Sequence, residues 1–342
     1  MCILGYNKWI VSVRCITFNH ALYIADAMNG FCMQETNFPY VCVIVDDCST
    51  DGEQDVIKHY LAEHFEPAEQ NIVAEFDTED YSFLFARHKK NQNCYFAVYY
   101  LKYNHYSVKK PKTRYLNELP QHTKYIAMCE GDDYWIHPGK LQMQVDFLEN
   151  HQDYSLVHTD FDLVEGKRRH WKELFPDGNY FPGIFHKNVN IGTLTTLYRT
   201  STYNSLPKLY MGKGWPMSDY PLWIEFSHSA KIKYLNIVTA KYRVLQHSAS
   251  HSESINKLIK FKEAAVKVRQ FYAAYFNIEL EDKGYGKIYY LDIMRYAYRL
   301  KNKNVANRYF VDAFSYRKLT LRTCIYFLGI YLPPLRILIG NH

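Results

Sequence analysis

Two stretches gather carboxylates at a spacing suited to cation or sugar chemistry. Asp46-Asp47-Cys48-Ser49-Thr50-Asp51-Gly52 follows the apolar run Val41–Val45, and Glu130-Gly131-Asp132-Asp133-Tyr134-Trp135 follows Tyr125–Cys129. Clustered carboxylates repel one another, and burying them is costly unless a cation or hydrogen-bond donors compensate. The simplest compensator is a hard divalent cation, which takes oxygen ligands and bridges to substrate phosphates. Asp51 reads more simply as a helix cap. A third polar strand end, Thr17-Phe18-Asn19, closes the β-branched run Ile10–Ile16.

These groups need elements that bring strand ends together. After Asn19, which can cap the next helix, Ile24, Met28 and Phe31 recur at helical spacing. Thr50 and Glu53 form a capping box before Val56, Ile57, Tyr60 and Leu61 on one helical face. Ile72–Phe76 reads as a weak strand, Cys94–Tyr103 as a buried helix and Ser107–His122 as a surface loop. Leu141, Val145 and Leu148 mark a helix behind the second acidic stretch. Leu156–His158 and Thr193–Tyr198 read as strands, Asp219–Phe226 as a helix and Lys231–Val244 as a closing strand. Alternating elements predict an α/β fold, a mostly parallel sheet with helices on both faces. Ligands of such sheets bind outside the carboxyl ends of the strands.

From Ser254 strand signals give way to helical periodicity, so the expected division is 1–250 for the α/β domain and 251–342 for a helical extension. The apolar run Cys324–Leu332, followed by Pro333-Pro334 and flanked by Arg317, Lys318, Arg322 and Arg336, is too short to span a bilayer. It suits a tail, about residues 320–342, that lies in a membrane interface.

Composition narrows the class. The 342 residues include 48% hydrophobic and 22% charged, which excludes disordered and collagen-like chains. Aromatic residues reach 17%, with 32 tyrosines, a side chain that suits cores, sugar clefts and membrane interfaces. The net charge of +6, from 41 Lys+Arg and 35 Asp+Glu, gives no case for nucleic acid. Eight cysteines without a C-x-x-C pair read as reduced core thiols of a cytoplasmic protein, and Met1–Ile10 lacks the apolar stretch of a signal peptide.

Three segments, Val11–Asn19 (VSVRCITFN), Val43–Gly52 (VIVDDCSTDG) and Tyr125–Trp135 (YIAMCEGDDYW), in that order and spacing resemble glycosyltransferase family 2. The resemblance is strong over residues 9–160 and weaker to about 250. It implies the GT-A fold, a nucleotide-diphosphate-sugar donor and usually Mg2+ or Mn2+. It implies that Thr17, Phe18 and Asn19 line the nucleotide, that Asp46 and Asp47 contact base and ribose, and that Arg87 faces the nucleotide. Glu130-Gly131-Asp132 takes the place of the D-x-D motif. Asp132 is then the metal ligand, Asp133 its neighbour and Glu130 a ribose or outer contact, its longer arm departing from the usual aspartate. Gly214–Trp223 resembles the family's acidic motif before an apolar helix. Asp219 takes the catalytic-base place, with Ser218 where an acid is usual, and Trp215 can stack on a sugar while Trp223 packs. His247, with His251 nearby, falls where a histidine completes the metal or diphosphate site in related enzymes.

The implied activity is metal-dependent, inverting transfer of a sugar from a nucleotide-diphosphate sugar to a glycan or lipid-linked acceptor, as in polysaccharide biosynthesis, on the inner face of the membrane. The alternatives are a nucleotidyltransferase, which should carry a Gly-rich basic loop after the first strand where Thr17-Phe18-Asn19-His20 stands, and a non-catalytic nucleotide-sugar-binding module. G-x-G-x-x-G and G-x-x-x-x-G-K-[ST] are both missing after the first strand, which excludes dinucleotide and P-loop enzymes.

Overall fold

Tyr40–Asp46 is buried along its whole length, and its side chains alternate between two cores. Tyr40, Cys42 and Ile44 enter one cluster, and Val41, Val43 and Val45 the other. Such a strand belongs at the centre of a parallel sheet. The computed structural model places it there, and describes residues 9–67, 75–118, 122–165, 173–187, 189, 191–245, 254–280 and 285–332.

The strands are β1 (Val11–Thr17), β2 (Tyr40–Asp46), β3 (Phe65–Pro67), β4 (Glu75–Asp77), β5 (Tyr81–His88), β6 (Cys94–Leu101), β7 (Tyr125–Met128), β8 (Tyr134–Trp135), β9 (Tyr154–Leu163), β10 (Leu197–Arg199) and β11 (Lys231–Tyr242). The helices are α1 (Ile24–Cys32), α2 (Glu53–His64), α3 (Thr113–Glu118), α4 (Lys140–Asn150), α5 (Thr200–Ser205), α6 (Asp219–Ser229), α7 (Ile255–Tyr275), α8 (Tyr285–Arg299), α9 (Lys303–Ser315) and α10 (Leu321–Tyr331).

The sheet runs β3-β5-β6-β2-β1-β7-β10-β9-β11-β8, with β4 paired to β5. Its centre, β6-β2-β1-β7, is parallel, and antiparallel pairs flank it. Register sets Thr17 beside Asp46 and Asp46 beside Tyr100, so the carboxyl ends of three strands finish level. Cys94–Leu101, expected as a helix, is strand β6. Every residue of it is buried, and an apolar run covered on both faces carries no periodicity to separate strand from helix. The weak strand expected over Ile72–Phe76 is β4, and residues 72–74 lie outside the described ones.

Compactness divides the chain at more places than one cut near residue 250. One unit comprises Met1–Asn179, Asn190–Pro207 and Ser229–Arg243, and holds the sheet. The other comprises Tyr180–Val189, Lys208–His228 and Val244–His342. Its core gathers Leu258, Ile293, Met294, Ala297, Ala306 and Ile330 from α7 to α10. Tyr326 and Phe327 pack against that core, so much of the apolar run Cys324–Leu332 covers the protein's own helices. No helix among the described residues is long and apolar enough to cross a membrane.

Candidate active site

The level strand ends are stitched together by Glu53. Gly52, at φ 90°, takes the N-cap place of α2, a backbone conformation open to glycine, and Asp51 accepts the Glu53 amide at 3.1 Å. Glu53 is therefore free of the expected capping box and turns inward, fully buried. Its carboxylate accepts the Thr17 hydroxyl, the His20 amide at 2.9 Å and the Ser49 hydroxyl at 2.8 Å. Burial raises this carboxyl, and those donors oppose the rise. Asn19 does not cap α1, which starts at Ile24. It sits in the left-handed region at φ 57°, accepts the Thr50 amide at 2.8 Å and donates its own amide to Ser49 Oγ at 2.9 Å. Thr17 thus faces inward, and Phe18 and Asn19 meet solvent.

Asp46 and Asp47 are both buried and have different surroundings. Asp46 Oδ1 accepts the Ser49 amide at 3.2 Å and the Gln54 side chain at 2.5 Å, while Oδ2 is buried with no partner among the described residues. Burial raises its carboxyl. A donor at that oxygen would recover the free energy an unpaired acceptor costs. Asp47 is saturated. It accepts the amides of His105 at 2.7 Å and Tyr106 at 3.2 Å and the Lys112 ammonium at 2.7 Å, and so anchors the loop that follows β6.

The acidic loop after β7 closes onto β1. The amides of Cys129 and Gly131 donate to the carbonyls of Arg14 and Ile16 at 3.1 Å each. A Cβ on Gly131 would stand 2.2 Å from Thr17 Oγ1, so the approach requires glycine. Asp132 keeps a partly exposed carboxylate, 3.9 Å from His20 Nε2. Asp133 is buried, and its carboxyl is pushed up to about 9 by that burial, with Asp132 and Glu130 adding to the rise.

Arg243, one residue past β11, clamps this loop. Its amide donates to Asp133 Oδ1 at 2.7 Å, and its guanidinium donates to the Asp132 carbonyl at 2.7 Å and pairs with Asp26 of α1. The guanidinium lies 4.8 Å from the Tyr23 ring centroid and 4.6 Å from that of Tyr134, within cation–π range. Behind the loop, Trp135 Nε1 donates to the Leu194 carbonyl at 2.7 Å. The Lys140 ammonium stands 4.3 Å over the Trp135 ring and donates to Gln144 at 2.8 Å. Lys140 is fully buried, which pushes it down to about 7.

Of the remaining residues singled out from the sequence, only Arg87 belongs to the same unit, and it lies apart from this cluster. Arg87 pairs with Glu66 at 3.1 Å, and register sets it beside Tyr95, itself beside Val41, at the end of the sheet opposite Asp46. Asp219 belongs to the other unit. It is the exposed first residue of α6, and Oδ1 accepts the Tyr220 amide at 2.8 Å. Surrounding protein raises its carboxyl against that bond, while the exposed surface keeps it in contact with water. Glu225 on the same helix is buried and accepts the Lys208 amide at 2.8 Å, the Leu209 amide at 2.7 Å and the Tyr272 hydroxyl, which occupies it structurally. Trp215 packs edge-on against Phe271 at 5.5 Å and keeps part of its surface exposed, whereas Trp223 is buried. His247 and His251 lie outside the described residues.

For a divalent cation, Asp132 offers the accessible hard oxygen. No three His, Cys, Asp or Glu side chains among the described residues are grouped to hold an ion alone. One carboxylate together with substrate phosphate oxygens is a common way to hold Mg2+, and this donor set fits that mode and not a protein-only cage.

No family model matches the chain. It is 25% identical over 257 residues to an uncharacterized protein of Mycobacterium tuberculosis, covering 71% of this chain and 61% of that protein. The chain thus spans about three-fifths of that relative's length. It is 30% identical over 147 residues, 41% of this chain and 51% of the relative, to the UDP-Glc:alpha-D-GlcNAc-diphosphoundecaprenol beta-1,3-glucosyltransferase WfaP of Escherichia coli. It is 23% identical over 253 residues, 72% of this chain and 83% of the relative, to the putative teichuronic acid biosynthesis glycosyltransferase TuaG of Bacillus subtilis. In fold it matches a mannosyltransferase from Pyrobaculum calidifontis, solved with GDP-Man and Mn2+, with a TM-score of 0.50 at 13% identity over 96% of this chain and 82% of that one.

The chain is thus similar in sequence to glycosyltransferases of glycan assembly and shares its fold with a structurally characterised mannosyltransferase.

Three residues of this site escaped sequence reasoning. Glu53 carried the signature of a capping box. Arg243 meets Asp133 and Asp26 across 110 and 217 residues, separations that leave no local spacing to read. Lys140 follows Pro138-Gly139 at a helix start, where a lysine ordinarily faces solvent.

Proposed function

We propose that this chain is a glycosyltransferase that moves a sugar from a nucleotide-diphosphate sugar to a glycan or lipid-linked acceptor, with inversion, in polysaccharide assembly. The observation that carries the reading is the acidic loop Glu130–Asp133, held against the end of β1 by Gly131 and clamped by Arg243. The kinship with WfaP and TuaG, named for glycan assembly, supports it.

In this reading Phe18, Asn19 and Asp46 meet the nucleotide, and Glu130 approaches the ribose. Asp132 holds Mg2+ or Mn2+ together with the donor diphosphate, and such a cation supplies charge stabilisation to the leaving diphosphate. His247 is the candidate to complete that site. Asp133, which accepts the Arg243 amide, ties the loop to the end of β11. Asp219 takes the proton of the acceptor hydroxyl, and Trp215 offers an aromatic face to the acceptor sugar. An α-linked donor then gives a β-linked product. A lipid-linked acceptor would bring the chain to the cytoplasmic face of a membrane.

The test is incubation with UDP- and GDP-sugars, Mg2+ or Mn2+ and candidate acceptors. Acceptor-stimulated release of nucleoside diphosphate is expected. Release of pyrophosphate from a sugar phosphate and a nucleoside triphosphate would identify a nucleotidyltransferase. Tight donor binding without release under all conditions would identify a non-catalytic module.

A further inference from the structure

The chain's charge is concentrated in one place. Residues 299–322 contain seven basic side chains, Arg299, Lys301, Lys303, Arg308, Arg317, Lys318 and Arg322, against the single acid Asp312. The whole chain has 41 basic and 35 acidic residues, so this segment leaves 34 of each for the rest. The entire formal excess of +6 therefore resides in 24 residues around α9 and the start of α10.

The same stretch exposes large apolar side chains. Val311 and Phe314, three residues apart on α9, are 61% and 70% exposed. Tyr316 in the turn and Leu321 at the start of α10 are 66% and 78% exposed. Single exposed apolar residues are ordinary, but four of them within eleven residues, amid basic groups, are a patch of mixed character. The inner faces of both helices are already used, through Ala306, Tyr309 and Ile330 in the helical core.

The turn that presents the patch is fixed. The Lys318 backbone amide donates to the Ala313 carbonyl at 2.7 Å and the Arg317 amide to that of Phe314 at 3.0 Å, the paired bonds of a Schellman motif. Arg317 occupies its left-handed position at φ 52°, and Lys301 holds the equivalent position at φ 51° after α8. Glycine usually stands there, and any other residue raises the conformational free energy.

We propose that the α9–α10 corner is where the chain docks on an anionic lipid bilayer. Basic side chains would meet headgroup phosphates, Phe314 and Leu321 would enter the acyl boundary, and Tyr316 would sit at headgroup level. The inference rests on the reading above only for its occupant, the membrane that would carry a lipid-linked acceptor. It also moves the contact from the Cys324–Leu332 run, whose Tyr326 and Phe327 face the helical core, to the corner before it.

The experiment is vesicle flotation of the full chain without donor or acceptor, using phosphatidylcholine alone and phosphatidylcholine with phosphatidylglycerol. Binding is expected only with phosphatidylglycerol, and should weaken with added salt. Arg317→Glu/Lys318→Glu/Arg322→Glu should weaken it on the order of 100-fold or more, from roughly fivefold per basic residue removed. Phe314→Ser/Leu321→Ser should weaken it by at least roughly tenfold. Both variants, which change five positions in all, should keep the parent's circular dichroism and melting. Equal binding to both vesicle types, or undiminished flotation of either variant, overturns the proposal. So does a concentration-dependent dimer that the triple variant dissociates and that binds no vesicle. A chain that floats with anionic vesicles yet transfers no sugar overturns the catalytic reading alone.

Discussion

Arg243 donates its backbone amide to Asp133 Oδ1 at 2.7 Å across 110 residues of chain. The bond makes the end of β11 a wall of the acidic loop, and the Arg243 side chain extends that wall to Asp26 on α1. Arg243→Gln leaves the amide bond available and removes the guanidinium. Turnover is expected to fall roughly 10–100-fold, since misplacement of a reacting group by about 1 Å has that scale of effect. Half of Asp26 is exposed, so the stability coupling between Arg243→Gln and Asp26→Asn should stay below about 1 kcal/mol. Steady-state kinetics with a double-mutant denaturation cycle measures both, and parent-like turnover in Arg243→Gln would remove its positioning role.

The proposed role of Asp132 predicts dependence on a divalent cation. Asp132→Asn should lose most turnover while melting within a few degrees of the parent, because its carboxylate is partly exposed and its ion pair with His20 is long, at 3.9 Å. EDTA should abolish activity, and Mg2+ or Mn2+ should restore it. Undiminished transfer in excess chelator would be decisive against this role.

Asp219 as general base predicts a separation of binding from chemistry. Asp219→Asn keeps the shape, and calorimetry with the nucleoside diphosphate and cation should give parent-like affinity. Transfer should fall about 10²–10⁴-fold. NMR of the parent's product should show the inverted anomeric configuration. Retained configuration, or a fully active variant, would contradict the assignment.

Lys140 predicts a pH signature in stability. Burial pushes its folded-state value down to about 7, below the ordinary value near 10.4 that the unfolded chain keeps. Between these values the unfolded state binds more protons, so this residue makes stability rise with pH across that window. Below about 7 both states are protonated and the penalty of the buried ammonium is fully present. Comparing the parent with Lys140→Met by urea denaturation isolates the residue from other titrating groups. From about pH 7 to about pH 8.5, the parent should gain about 1–2 kcal/mol relative to the variant. An unchanged difference at the two pH values would mean that Lys140 keeps its charge in the fold.

The sequence made the parallel centre of the sheet legible because β1, β2 and β7 are short apolar runs with abrupt polar ends. It misread β6, whose run CYFAVYYL is covered on both faces and has no solvent side to mark a period. The strand-end acids were visible as residues, and their environments were not. Asp46 and Asp47 are adjacent in sequence, yet one keeps an oxygen with no partner among the described residues and the other holds Lys112 and two amides. Arg87 looked equivalent to a nucleotide-facing arginine, but antiparallel pairing of β5 with β6 carries it to the far end of the sheet. Long-range partners such as Arg243 leave no trace in spacing, because topology alone brings them together.

The bonds that join the loop after β1 to the loop after β2 have a thermodynamic consequence. Asn19 and Thr50, Asn19 and Ser49, Ala21 and Asp51, and His20 and Glu53 are all linked across that gap. The two loops therefore behave as a single body whose conformational entropy is surrendered during folding and not on encounter with a ligand. Association at these strand ends should accordingly resemble the filling of a preformed mould, with a heat-capacity change set by the surface covered and little contribution from coupled ordering.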